Sequence, residues 1–292
     1  TNFSDAESIE KSSQGIQALI LEPAIPQEME QEIRVGYRAL NVFPGRETKS
    51  VAVRSSSTLE DLEETSFAGQ HTTYLNVIDE NSLISRVKDC WASLWTPRAM
   101  HYRAQLSRQI EPLAMAVVIQ QMIPATASGV AFSVDPVTGD YRRMVINATW
   151  GLGEGVVTGS VNGDLYTIDK ESLSPLGNVI GDKESAMVSS EAESGTMLVT
   201  MHPTQRREPA LTSTQLRVIA RLIRDVEIAM GGPQDIEWSF HGDHPYILQS
   251  RPVTGGLIPL NEQTEEDFPI RWPDPEAQDH HWKFNFVTSG ME

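Results

Sequence analysis

The sequence predicts a protein of the α+β class, because helical and extended periodicities both occur and occupy different parts of the chain. Apolar residues recur at helical spacing in residues 5–21, 27–41, 82–105 and 212–230. From Ala114 onward, short β-branched segments of strand length are separated by glycine and proline. Residues 234–252 then alternate apolar and polar side chains around a His-Gly-Asp-His connection, which is typical of a β-hairpin.

The first third of the chain is predicted to be mainly helical. Pro23 and Pro26 separate the first two helices, and a short strand follows at residues 51–54. Residues 82–105 are predicted to form one amphipathic helix that carries Cys90 on its apolar side. This lone cysteine is expected to be a buried thiol in a reducing compartment, so we expect a cytoplasmic protein.

The remaining elements follow in order. Three segments of strand length, AMAVVIQQMI, SGVAFSVDP and RMVINATW, lead to a glycine-rich loop at residues 151–159. Residues 170–210 are polar, and we expect them to be an irregular surface excursion. The helix over residues 212–230 is predicted to have Ser213 or Thr214 as its N-cap and to stop at Gly231.

The composition argues against nucleic acids and membranes as partners. The chain has 292 residues, of which 39% are hydrophobic and 22% charged, as in globular proteins. Its net charge of −17 argues against nucleic acid and anionic membranes, which both attract basic surfaces. No run of eighteen apolar residues is present, so no membrane span is expected.

The hairpin carries the side chains of greatest chemical interest. Because strand side chains alternate, Asp235 and Glu237 share one face of the first strand, and Gln249 and Arg251 share one face of the second. Carboxylate and amide oxygens suit Mg²⁺, and an arginine suits phosphate oxygens. The alternative is a solvated outer face, and the hairpin alone favours that alternative.

Other motifs are weaker. The segment GLGEGVVTG is no dinucleotide fingerprint, because Val156 occupies the place of the third glycine. Neither a Walker loop nor a zinc motif occurs. Gly69 lies in a small-residue loop whose backbone could approach a phosphate. Arg54 is equally compatible with a phosphate contact and with an ion pair to a nearby acidic residue.

The order of the motifs is far more specific than any one of them. The segments VAVRSSSTLEDLEETSFAGQHTTYLNV, CWASLWTPRAMHYR, VVIQQM, SGVAFSVDPVTG, GLGEGVVTGSVNGDLY, PQDIEW and ILQSRPVT occur in this order. Together they resemble the ATP-grasp nucleotide-binding domain of the phosphoenolpyruvate synthase, pyruvate phosphate dikinase and rifampicin phosphotransferase family. The resemblance covers residues 50–254.

The resemblance implies an ATP-grasp fold, in which two α+β subdomains clasp the nucleotide. We expect this domain to occupy residues 1–254, with the N-terminal part of its first subdomain missing. Residues 255–292 are expected to be an acidic linker and the start of a following domain or a tail. The family's lysine segment and its acceptor-histidine motif have no match, so the chain alone is expected to be incomplete.

The resemblance also implies ATP and Mg²⁺ as cofactors and assigns residues to them. Catalytic roles fall on Arg251 and Arg54, and metal binding on Glu237 and Gln249. Asp235 and Glu154 are weaker additions to the metal site. The nucleotide-binding residues implied are Arg54, Gly69, Thr73, Gln120, Glu237, Gln249 and Arg251.

The activity implied is a dikinase-type phosphotransfer. The β-phosphoryl group of ATP passes to a histidine on another domain, leaving AMP and phosphate, and then to a small molecule on an acceptor-binding domain. Among the branches, the motifs favour rifampicin phosphotransferase over phosphoenolpyruvate synthase. A non-catalytic nucleotide-sensing module is the alternative from another functional class.

Overall fold

The structure, a computed structural model, describes residue 3 and residues 5–45, 49–57, 61–62, 65–66, 72–105, 114–190 and 193–253. Helices and strands contribute similar shares of these residues, so the predicted α+β class is confirmed. None of the helices in these ranges combines the length with the apolar composition that crossing a bilayer requires.

The chain divides into two compact units. Unit 1 comprises Thr1–Pro124 and Val188–Met197, and unit 2 comprises Ala125–Met187 and Leu198–Glu292. The domain boundary predicted at residue 254 falls where the described residues end. That boundary therefore stays a prediction.

Unit 1 combines helices with a small antiparallel sheet. Its elements are α1 (Ala6–Leu21), α2 (Gln27–Ala39), β1 (Val51–Ser57), β2 (Asp61–Leu62), β3 (Thr65–Ser66), β4 (Thr73–Val77), α3 (Glu80–Ser93), α4 (Pro97–Gln105) and β5 (Met115–Gln121). The strand order is β4-β1-β5, and β2 pairs with β3. On β1, Val51 and Val53 pack against Leu83 and Cys90 of α3. Arg54 therefore lies on the opposite face of this sheet.

The prediction of one helix over residues 82–105 is wrong, because the helix is interrupted. α3 ends at Ser93, a turn follows, and α4 begins at Pro97. Proline is favoured in the first position of a helix, where its missing N–H is no loss. The Thr96 hydroxyl accepts a hydrogen bond from the Ala99 N–H at 3.3 Å, as an N-cap does. The proline thus starts a new helix.

Unit 2 contains a large antiparallel sheet and one long helix. Its elements are β6 (Ala127–Phe132), β7 (Arg143–Trp150), α5 (Glu154–Val157), β8 (Asp164–Asp169), β9 (Pro175–Val179), α6 (Ser213–Met230), β12 (Gln234–His241) and β13 (His244–Pro252). The strand order of this large sheet is β13-β12-β6-β7-β8-β9. Every adjacent pair of strands in it is antiparallel.

The two faces of the large sheet differ in character. On one face, which we call the core face, Ile236 of β12 lies in line with Ala131, Ile146 and Tyr166 of the next three strands. α6 covers this face with a stripe of buried residues at helical spacing: Leu216, Ile219, Ala220 and Ile223. The residues between them in each strand point to the other face, which we call the pocket face.

The ends of α6 show how local sequence defines the helix. Its N-cap is Thr212 and not the predicted Ser213 or Thr214, because Thr212 and Gln215 form a reciprocal capping box. The helix ends at Gly231, as predicted. Gly231 has a φ of 78°, a left-handed conformation that glycine adopts without steric cost.

Residues 170–210 are more regular than predicted. They contain β9 at the edge of the large sheet, together with β10 (Ser185–Ser189) and β11 (Thr196–Thr200), which pair with each other. Every residue of β9 is exposed. A strand that buries neither face lacks the apolar alternation that predicts a strand, so the sequence pattern did not reveal it.

Candidate functional site

The predicted hairpin is present, and its register aligns four polar side chains. β12 and β13 are joined by a two-residue turn at residues 242–243, shorter than the predicted connection. Asp235 lies opposite Arg251, and Glu237 lies opposite Gln249. Directly opposed residues point to the same side of a sheet, so the four share the pocket face. Strand alternation alone had indicated this arrangement.

Asp235 and Arg251 form an ion pair on the pocket face. The Nε and Nη2 atoms of Arg251 each lie 2.9 Å from Oδ2 of Asp235. The Asp235 side chain is 11% exposed and that of Arg251 is 30% exposed. Burial raises the pKa of Asp235 above its ordinary value, Arg251 opposes this shift, and Glu237 adds to it. The pair therefore orients a guanidinium that still reaches solvent.

A pocket opens over this part of the sheet, and its two ends differ in polarity. Asp235, Glu237 and Arg251 form one end. The remaining lining is apolar apart from one asparagine: Val130, Phe132, Val145, Asn147, Val156, Val157 and Leu165. Its volume is about 590 Å³ with the open mouth included, within the range of small-molecule sites. A ligand with an anionic group and a less polar part suits this lining.

The glycine-rich segment forms a wall of this pocket. Its residues connect β7 to β8, and they contain the single-turn helix α5. Val156 and Val157 of this helix line the pocket. Glu154, considered above as an addition to the metal site, begins α5 and is not among the lining residues. Because β7 and β8 are antiparallel, the segment does not join two parallel strands as a dinucleotide-binding loop does.

Unit 1 carries the other predicted nucleotide-binding residues. Arg54 of β1 lies opposite Thr73 of β4, while Gln120 of β5 lies opposite Ala52. Since Ala52 and Arg54 alternate with core residues, all of these residues belong to one face of the unit 1 sheet, turned away from its core. Gly69 lies outside the described residues. The roles assigned to these residues stay predictions.

The donor chemistry of unit 2 fits a magnesium ion. Among the residues that the structure describes, no group of three or more His, Cys, Asp or Glu side chains is placed to hold a metal. Mg²⁺ needs fewer protein ligands, because it is commonly held by one or two carboxylates together with substrate phosphates and water. Glu237 and Gln249, opposed across the hairpin, would supply a carboxylate and an amide oxygen.

Asn147 is a pocket residue that was not predicted from the sequence. It lies in β7, within a strand segment that the sequence had correctly predicted. A polar side chain between buried strand residues was the available signal, since Val145, Ile146 and Ala148 are all buried. Which side of the sheet the asparagine faces could be known only from the strand pairing.

Comparison with known proteins places the chain in a family. The model of the pyruvate phosphate dikinase AMP/ATP-binding domain matches residues 1–269. The phosphoenolpyruvate synthase of Pyrococcus furiosus is 39% identical over 261 residues, which are 87% of this chain and 32% of that protein. The probable phosphoenolpyruvate synthase of Pyrococcus abyssi is 39% identical over 274 residues, which are 91% of this chain and 33% of that protein.

A relative from the second branch is also similar. The rifampicin phosphotransferase of Bacillus cereus is 42% identical over 211 residues, which are 72% of this chain and 24% of that protein. The chain thus spans about a third or less of the length of the curated relatives named here. The chain belongs to the family of the pyruvate phosphate dikinase AMP/ATP-binding domain.

Proposed function

We propose that this chain binds magnesium ATP for a dikinase-type phosphotransferase. In this proposal the β-phosphoryl group of ATP passes to a histidine on another domain, AMP and phosphate are released, and the histidine then phosphorylates a small molecule. The observation that carries the proposal is the pocket of unit 2, where Asp235, Glu237 and Arg251 stand together at one end. The family, an AMP/ATP-binding domain, supports the same ligand.

Each predicted residue has a physical role in this proposal. Phosphoryl transfer depends on positioning and on neutralisation of phosphate charge, with little covalent work for protein side chains. Arg251, oriented by Asp235, donates hydrogen bonds to the phosphoryl group that is transferred. Glu237 and Gln249 hold the magnesium ion, which when bound neutralises phosphate charge.

The residues of unit 1 are proposed to bind other parts of the nucleotide. Arg54 and the Thr73 hydroxyl contact phosphate oxygens, and the backbone at Gly69 approaches the phosphates closely. Gln120 contacts the adenine. The neighbouring positions of Arg54 and Thr73 on paired strands support a joint role for these two residues.

The preference for the rifampicin branch is corrected. The phosphoenolpyruvate synthases match 87% and 91% of this chain, whereas the rifampicin phosphotransferase matches 72%. The difference in identity, 39% against 42%, does not outweigh this coverage. We therefore propose that the acceptor branch is that of phosphoenolpyruvate synthase, in which pyruvate receives the phosphoryl group.

Two measurements test the proposal in turn. Calorimetric titration of the purified chain with magnesium ATP should show one site, and Glu237→Gln should weaken it. Absence of binding would contradict the nucleotide assignment. The full-length gene product should then release AMP and phosphate when pyruvate is present. Release with rifampicin instead would restore the other branch, and binding without any turnover would favour the nucleotide-sensing module.

A further inference from the structure

Asn147 occupies a defined place relative to the proposed metal ligands. Glu237 lies opposite Val130, and Val130 lies opposite Asn147, so the three belong to one row across β12, β6 and β7. Gln249 extends this row on the other side of Glu237. Two strand spacings, about 9.6 Å, separate the backbones at Asn147 and Glu237. Side chains, a hydrated ion and phosphate oxygens can fill such a distance.

The carboxamide of Asn147 is not used by the fold. Its Oδ1 atom is buried, yet it accepts no hydrogen bond from any residue that the structure describes. A buried amide oxygen without a partner costs free energy, and buried polar groups in proteins are normally paired. An apolar residue of similar size would therefore serve the fold better. The asparagine needs another explanation.

The surrounding chain keeps space for this amide. A Cβ atom added to Gly163 would lie 2.2 Å from Oδ1 of Asn147. Any larger residue at position 163 would therefore force the carboxamide to move. The pocket lining around Asn147 is apolar, with Val130, Val145 and Leu165 nearest in the strand pairing. Because Oδ1 packs against Gly163, the amide nitrogen, Nδ2, is the end of the carboxamide that a ligand in the pocket can bind.

We propose that the carboxamide of Asn147 binds the metal-bound polyphosphate of the nucleotide. The proposal rests on the proposed function, since it concerns the same pocket. A carboxamide both donates and accepts hydrogen bonds. Phosphate oxygens accept them, and water molecules on a bound cation donate them. Asn147 lies in the same row as Glu237 and Gln249, the proposed metal ligands, so it is expected to contact the polyphosphate. The base lies further away, because the ribose separates it from the phosphates.

Asn147→Leu tests the proposal because it separates binding from folding. Leucine is similar in size and removes the unpaired buried amide, so the ligand-free chain should melt at an equal or higher temperature. Its affinity for magnesium ATP should fall about tenfold, the loss expected for one hydrogen bond to a charged group. Its affinity for AMP, which lacks the β- and γ-phosphates, should stay within about twofold of the unchanged protein.

Thr149→Val is the matched control. Thr149 lies two residues further along β7, its Oγ1 atom is also buried without a hydrogen-bond partner among the described residues, and it does not line the pocket. The variant should likewise melt at an equal or higher temperature and should bind magnesium ATP as the unchanged protein does. A similar loss of affinity in both variants would overturn the assignment to Asn147.

The other outcomes are also decisive. Unchanged affinity of Asn147→Leu for magnesium ATP would refute this inference and leave the proposed function intact. Equal losses for magnesium ATP and AMP would place the amide at the nucleoside and refute the inference as well. If the unchanged chain ignores magnesium ATP, the proposed function fails, and this inference fails with it. If Asn147→Leu does not fold, Asn147→Ala removes the carboxamide without adding bulk and should weaken binding of magnesium ATP but not of AMP. Unchanged affinity for magnesium ATP in that variant would refute the inference.

Discussion

Two of the ion pairs in unit 2, Asp164–Lys183 and Asp235–Arg251, differ in their surroundings. Asp164 and Lys183 are both fully buried and in direct contact. Asp164 also accepts hydrogen bonds from the backbone N–H groups of Gly181 at 3.0 Å and Ala210 at 2.7 Å. Asp235 instead pairs with Arg251 at the end of a pocket, where both side chains remain partly exposed.

The difference shows what each pair does. Around Asp164, donors from Gly181, Lys183 and Ala210 satisfy the carboxylate, so its partners are fixed by the fold. The Nζ atom of Lys183 also donates to the carbonyl of Gly181 at 3.1 Å, which closes the arrangement. At Asp235 the arginine is the oriented group, and its guanidinium can still reach a ligand. One pair stabilises loops, and the other is proposed to orient an arginine for ligand binding.

The largest effect is expected from breaking the buried pair. Lys183→Met leaves the charge of Asp164 without its partner in a site that water does not reach, so the free energy of unfolding should fall by about 3–5 kcal/mol. Denaturant unfolding measures this change. Adding Asp164→Asn to the variant should recover part of the loss, because no buried charge then remains. A loss below about 1 kcal/mol in the single variant would contradict a structural role.

A substitution in the pocket pair should reduce turnover strongly and stability only slightly. Arg251→Ala should reduce turnover of the full-length protein by about a hundredfold or more, since a group that stabilises phosphoryl charge is lost. Its melting temperature should change far less than that of Lys183→Met, because Arg251 is partly exposed. Arg217→Ala, at an exposed position of α6, is the control and should turn over normally. Normal turnover of Arg251→Ala would remove Arg251 from the proposed mechanism.

The contrast also shows what sequence can reveal. The shared face of the hairpin could be predicted because strand alternation is local: Asp235 and Glu237 are two residues apart, and so are Gln249 and Arg251. The ion pair between Asp235 and Arg251 was not predicted, because it depends on the register of the two strands. The pairing of Asp164 with Lys183 was not accessible, since nineteen positions separate the two residues and no periodicity links them. Such a contact depends on how segments that are distant in the sequence pack together.

Errors in predicting secondary structure had similar physical causes. The apolar period through residues 82–105 predicts one continuous helix, whereas Pro97 starts a second helix. The exposed strand β9 carries no alternation, so its sequence predicts irregular chain. In the candidate site, Asn147 was not predicted, because the side of the sheet to which it points depends on which strands pair. Position within a sheet is a global property that a single segment does not contain.

A smaller effect is expected from a surface pair next to Lys183. Arg206 donates to Asp182 at 2.8 Å, and both side chains are about one third exposed. Water competes for such a pair, so Arg206→Ala should lower the free energy of unfolding only slightly. The backbone carbonyl of Arg206, which accepts from the Lys183 N–H at 2.9 Å, is unaffected by the substitution. A loss of unfolding free energy as large as that of Lys183→Met would show that the exposure of an ion pair does not determine how much it stabilises the fold.

The smallest effect is expected for Glu80 in unit 1, and it should appear only in acid. The hydrogen bond from Arg38 lowers the pKa of Glu80 to about 2, and Arg34 contributes in the same direction. A lowered pKa means that the ionised form stabilises the fold above the ordinary value of 4.5, and that this contribution is lost as the pH falls from there toward 2. Glu80→Gln should therefore flatten the stability profile in this interval, whereas Glu32→Gln, an exposed control on α2, should leave it unchanged. Chemical unfolding at half-unit pH steps measures the difference. Parallel curves for Glu80→Gln and the unchanged protein would mean that the arginines of α2 do not hold this carboxylate in solution.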